Sequence, residues 1–192
     1  MDSIDLFKLK PPVFTEWYSW SNRLAIPLKQ RNVPGIYLLA RFSESPPKGQ
    51  ADPLCPSIVV IGETRRTLRT RLKDFDNAAF GSRGNHSEGD RYRRMHYPNP
   101  LDALYVAVSP QSPLDWDYWI SNNNEDIARQ LSSGREDAVS IEDVIRYKEW
   151  FEQQAPAKLK GEMNCAWIKF VERKLLLDYA IRHQKLPECN AE

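Results

Sequence analysis

Cysteine is scarce in this chain: Cys55, Cys165 and Cys189 stand far apart and lack C-x-x-C spacing. That argues against a disulfide framework and against a cysteine-built zinc site, and makes a reducing cytosol the expected compartment. No run of about 18 apolar residues occurs, so no membrane-spanning helix is expected. The start, MDSIDLFKLKPP, has no basic segment followed by an apolar one, and no secretory signal is read there. Internal repeats and low-complexity tracts are missing too, which argues against a solenoid or a disordered linker. The formal net charge is only +1, so the molecule as a whole lacks the basic excess of a general polyanion binder.

What is present suits one decorated globular domain. A length of 192 residues is enough to bury a core without staples. The charge is unevenly placed. From Glu63 to His96 nine Arg or Lys stand against five Asp or Glu, a local net of +4, so the remainder sums to −3. A basic patch on a near-neutral protein focuses the field that draws in a polyanion; the competing reading is a solvated helix face.

Residues 1–32 carry Trp17, Tyr18 and Trp20 close together and read as a segment wrapped on the core. GIYLLARF, from Gly35, is rich in β-branched and aromatic residues and predicts a strand. SIVVIG, from Ser57, is a continuous apolar run suited to a strand buried on both faces, and antiparallel pairing of the two is the simplest topology. Gly62 closes that run and Thr64 is the expected helix N-cap. Leu68, Leu72 and Phe75 then recur at i, i+4 and i+7, with Arg66 and Lys73 facing away and Arg65 and Arg71 on the flanks of the apolar face. Residues 81–100 read as a loop from their Gly, Asn, Arg and Tyr content. LDALYVAV, 101–108, predicts a third strand. An acidic helical insertion is expected over 111–160, and a last helix from about Asn164 to the turn before Pro187. The expected fold is thus α/β, a small, mostly antiparallel three-stranded sheet flanked by helices. Its core would span 33–110 and 161–192 of a single 1–192 domain.

Gly35-Ile36-Tyr37, Val60-Ile61-Gly62, the helix with Leu68-x-x-Arg71-Leu72, Glu172 in FVERKLLLDYA, and Pro187 with Asn190 in LPECN follow one another in order. This set resembles the GIY-YIG nuclease family over roughly 33–110 and 160–190. Three features depart from the family pattern. Val60 stands where the family has its second Tyr, the connection from Leu38 to Val59 is long, and one extra residue lies between Gly62 and Arg71. Phe75 occupies the helix position where some relatives carry a His, and His86 is the nearest replacement in sequence.

The resemblance implies a divalent-metal-dependent endonuclease acting on DNA, with Mg²⁺ or Mn²⁺ as cofactor. Gly35 and Gly62 would be motif glycines, Tyr37 would handle the attacking water, and Glu172 would hold the metal. A tyrosine with its ordinary pKa of about 10 is a poor base at neutral pH. Either a nearby cation lowers that value or Tyr37 only orients the water. Arg71 offers a planar fork for phosphate oxygens, or is an exposed helix cation. Glu172 sits amid Ile168, Leu175, Leu176 and Tyr179, where an unpaired carboxylate is costly; metal and an ion pair with Lys169 are the two readings. His86 either shares the water's proton or is an ordinary loop residue. Arg65, Arg69, Arg91, Arg93 and Arg94 are candidate phosphate contacts. Asn190 is either a backbone clamp or a substrate-side amide. Two other functions stay open: a catalytically silent nucleic-acid-binding module, which Val60 permits, and a protein-interaction domain on the same scaffold.

Overall fold

A computed structural model describes residues 12–81, 86–98, 103–111 and 141–190. Most of the expected insertion, 112–140, and the first eleven residues of the N-terminal segment lie outside them. The chain divides into two compact units, one of residues 11–111 with 168–192 and one of 1–10 with 112–167.

The first unit is mixed α/β and is built on an antiparallel sheet of order β1-β4-β2-β3. Its strands are β1 (Tyr18–Ser19), β2 (Gly35–Arg41), β3 (Ile58–Thr64) and β4 (Leu104–Pro110). The sheet has four strands, not three. The extra one, β1, pairs only Tyr18 with Val106 and Ser19 with Tyr105, too short a strand to leave an alternating pattern in sequence. The β2–β3 pairing is antiparallel as expected, with Tyr37 opposite Gly62 and Gly35 opposite Thr64. Continuous burial along β2 and β3 fits their unbroken apolar runs.

Helix α1 is a single turn, Leu28–Arg31. Helix α2 (Leu68–Ala79) buries Leu68, Leu72, Phe75 and Ala79, which fall along one face of a 3.6-residue period. Its N-cap is Thr67, whose side chain accepts from the Thr70 amide at 3.2 Å. Thr64 does not cap it. That residue continues β3, and its hydroxyl instead accepts from the Arg66 amide at 3.1 Å, holding the turn. Arg65 and Arg66 consequently lie in the connection before α2 rather than on the helix flank.

The stretch read as a loop contains α3 (Ser87–His96). Only Gly89 and Tyr92 of it are buried, so the apolar period that would mark a helix is absent. Against β2 and β4, Tyr37, Leu39, Val106 and Val108 join Trp20, Leu72, Phe75 and Tyr92 in one core. Burial of side chains of this size supplies roughly 1.5–3 kcal/mol each. Trp20 is fixed there by its indole N–H, which donates to Asp76 at 2.8 Å.

Helix α4 (Ile141–Gln153) belongs to the second unit. Helix α5 (Ala157–His183) starts well before Asn164. Its first turns are polar, as the Lys158–Glu162 pair at 3.9 Å illustrates, and so lack the apolar signal of its later part. Within the sheet unit, α5 buries Ile168, Val171, Glu172, Leu175, Leu176 and Tyr179. No helix among the described residues is long and apolar enough to cross a membrane.

Candidate active site

The site begins with two residues that face each other across the β2–β3 ladder. A side chain on Gly62 would meet the Tyr37 ring, with Cζ 2.3 Å from the added carbon. Glycine there is what lets the tyrosine ring lie over β3. Gly35 is equally constrained, since an added Cβ would stand 2.4 Å from the Ser109 carbonyl and 3.0 Å from Leu68 Cδ1. The two motif glycines therefore seat the Tyr37 ring and the start of α2 against the sheet.

Two side chains from different elements meet at the Tyr37 hydroxyl. From α2, Arg71 Nε donates to it at 3.3 Å. From the start of α3, His86 Nε2 lies 3.2 Å away. Phe75, one turn after Arg71, packs edge-to-face on the His86 ring with centroids 5.2 Å apart. His86 thus reaches, from a different segment, the neighbourhood of the Phe75 helix position. It is also the N-cap of α3, where Nδ1 accepts from the Gly89 amide at 3.2 Å.

Glu88 completes the cluster and was not among the residues singled out from the sequence. Its Oε2 stands 3.1 Å from His86 Nδ1, 3.5 Å from an Arg71 terminal nitrogen and 2.9 Å from the Ser87 hydroxyl. Burial acts to raise its pKa. Hydrogen bonds from His86, its own backbone and Ser87 outweigh that and hold the carboxyl at about 2. The available signal was an acidic residue in the first turn after a capping His, invisible while α3 was read as loop.

Tyr37 is fully buried. Burial pushes its phenol pKa well above the ordinary value, and the nearby Arg71 guanidinium does not reverse this. Arg71 acts to lower it, as one of the two readings has it, but burial outweighs that cation, and beside Arg71 alone the tyrosine stands as a neutral hydroxyl that hydrogen-bonds.

Glu172 is buried on α5 with 8 % exposure. The cation against it is Arg173, with Nε at 3.7 Å, rather than Lys169. Burial chiefly raises its pKa to about 7; Arg173 and Lys169 oppose this, and Glu63 and Glu88 reinforce it. Glu63 follows Gly62 on β3 and has an Oε2 that is buried without a hydrogen-bond partner among the described residues. Glu63 and Glu88 add negative potential at Glu172, which a cation would relieve. No group of three or more His, Cys, Asp or Glu among the described residues is close enough to hold a metal. A divalent cation at Glu172 would take most of its shell from water and substrate oxygens, as magnesium commonly does.

The candidate phosphate contacts divide into two sets. Arg65, Arg69 and Arg94 are exposed. Arg91 donates to the Cys189 carbonyl at 2.9 Å and Arg93 to the Gly81 carbonyl at 2.7 Å, so both fasten backbone. Asn190 is a backbone clamp and not a substrate-side amide. Its Oδ1 accepts from the Ile61 amide at 2.8 Å and its Nδ2 donates to the Ile61 carbonyl at 2.9 Å. With Cys189 N–H donating to Val59 at 2.8 Å, the C-terminal segment covers the open edge of β3. Comparison with family models, curated proteins and solved structures returned no match.

Proposed function

We propose that this protein is a divalent-metal-dependent endonuclease that hydrolyses phosphodiester bonds in DNA. The observation that carries the reading is the Tyr37 hydroxyl held between Arg71 and His86, in the same unit as the buried Glu172. The ordered GIY-YIG-like motifs support it, and the expected setting is the cytoplasm. Tyr37 orients the attacking water and His86 shares the proton that must leave it. Arg71 is a fixed cation for the charge that grows on the non-bridging oxygens. Glu172 would hold Mg²⁺ or Mn²⁺, which when bound neutralises phosphate charge and makes a coordinated water more acidic. Arg65, Arg69 and Arg94 would steer the DNA backbone without reading bases. Supercoiled plasmid with and without Mg²⁺ tests the proposal. Nicking that needs the metal and disappears in Tyr37→Phe supports it; no nicking, or nicking untouched by that variant, refutes it.

A second reading is favoured by the complete burial of Tyr37 and by Val60 in place of a second hydroxyl. It is a nucleic-acid-binding module without catalysis. Salt-dependent binding to DNA without cleavage would select it, and absence of any such binding would point to a protein-interaction domain.

A further inference from the structure

The Nδ1 atom of His86 has two neighbours that make opposite demands. The Gly89 amide donates to it at 3.2 Å and needs a lone pair there. The Glu88 carboxylate, 3.1 Å away, needs a proton there. A neutral imidazole satisfies only one of them. If Gly89 prevails, the ring proton sits on Nε2 and points at Tyr37. The Tyr37 oxygen then receives N–H groups from both His86 and Arg71, and His86 has no site for a Tyr37 proton. If Glu88 prevails, the proton sits on Nδ1 and Nε2 is free.

We propose that Glu88 is a positioning residue that selects the Nδ1–H form of His86, so that Nε2 accepts the Tyr37 hydroxyl proton. The chain then runs in one direction: Arg71 N–H to the Tyr37 oxygen, Tyr37 O–H to Nε2, and Nδ1–H to Glu88. Every member has a partner within 3.3 Å. The Gly89 amide gives up its acceptor, a cost because that amide is buried, and the charge-assisted bond from Nδ1–H to Glu88 has to offset it. Glu88 stays ionised at neutral pH, and so it also offsets the charge of an imidazolium when His86 takes the second proton. Because burial opposes a Tyr37 phenolate, the proton has to leave the hydroxyl as the water's proton arrives. An adjacent nitrogen with a free lone pair makes that transfer possible. Among the described residues, Glu172 acts on Tyr37 and Glu63 on Arg71 through space, while Arg71 contacts both Tyr37 and Glu88.

The catalytic half of this inference rests on the nuclease reading; the tautomer does not. Imidazole ¹⁵N spectra of the full chain, recorded above the ordinary histidine range and assigned with His86→Asn, read the tautomer directly. Wild type should show His86 with Nδ1 protonated. Glu88→Met, which keeps length but cannot accept, should move it to Nε2–H; Glu88→Ala serves if the Met variant does not fold. The same tautomer in wild type and variant overturns the proposal even if the protein cuts DNA. If the protein does not cut DNA but the tautomer switches, the positioning role stands and the nuclease reading falls. In a nicking assay Glu88→Met should lose on the order of 10²–10⁴ in rate. Adding that change to His86→Asn should cost less than the sum of the two single losses, because Glu88 acts on the proton chain through His86 as well as touching Arg71. Additive losses would also overturn it.

Discussion

Replacing Glu172 with Gln should raise stability while removing metal-dependent activity. Glu172 is 8 % exposed, and Arg173 Nε stands 3.7 Å from its carboxylate. Burial is the main reason its pKa stands at about 7 instead of 4.5; Arg173 and Lys169 oppose, and Glu63 and Glu88 assist. In the unfolded chain the proton leaves near 4.5, whereas the folded chain keeps it to about 7. Between those values the folded state binds more protons, so stability falls as pH rises through the window and stays lower above it. The gap between 4.5 and about 7 corresponds to at most about 3 kcal/mol, reduced by solvent screening. Gln carries no proton to lose, so Glu172→Gln should match wild type near pH 4 and exceed it by up to about 3 kcal/mol at pH 8.5.

For a chain of this length that difference is on the order of 5–10 °C in Tm. Thermal melts in chelator at pH 4.5 and 8.5 measure it. Added Mg²⁺ should recover part of the difference in wild type at pH 8.5 and do nothing for the variant, because only a carboxylate gains from the ion. A Tm difference that is the same at both pH values would refute the reasoning. It would mean that Glu172 ionises in the folded state as readily as in water.

Tyr37→Phe and Arg71→Ala should each abolish nicking and leave the circular dichroism unchanged, with about 10²–10³ lost for Arg71 by analogy with a missing oxyanion donor. Wild-type rates in both would remove these residues from the chemistry. Asn190→Ala deletes two hydrogen bonds to the Ile61 backbone at 2.8 and 2.9 Å and should lower the unfolding free energy measured in urea by about 2 kcal/mol, with little effect on DNA affinity per folded molecule. Neutralising Arg65, Arg69 and Arg94 together should reduce the log–log salt slope of duplex binding by up to about 0.9 per lost contact, equally on all sequences. An unchanged slope would make the patch a solvated face.

The paired strands and the amphipathic α2 were legible because their residues repeat with the period of the element. The Leu68, Leu72 and Phe75 spacing suffices for the helix face, and the apolar runs suffice for β2 and β3. Elements that bury little left no such trace. Strand β1 is two residues long, α3 buries only Gly89 and Tyr92, and the first turns of α5 are polar. The error at Thr64 has a similar cause. Threonine suits a cap, a turn and a strand alike, and only the register opposite Gly35 decides between them.

The site was legible to the same extent. Tyr37, Arg71, Gly35 and Gly62 lie on those periodic elements, so their convergence follows from strand register and helix phase. Tyr37 and Gly62 are far apart in sequence yet stand directly opposite in the ladder, which is why a tyrosine two residues after a glycine and a second glycine form one spatial unit. Glu88 could not be placed, because its meaning depends on a helix start that has no apolar signature. Once His86 caps α3, the carboxylate two residues on falls within reach of both Nδ1 and Arg71. The Glu88 carboxylate thereby links the basic helix α2 to the start of α3 and touches both groups that meet the Tyr37 hydroxyl. The departure at Phe75 fits this arrangement. An aromatic ring at that helix position leaves no nitrogen to meet the tyrosine, but it gives the His86 ring a face to pack on. The placement of the His86 ring beside the Tyr37 hydroxyl therefore depends in part on Phe75, one turn after Arg71 on α2.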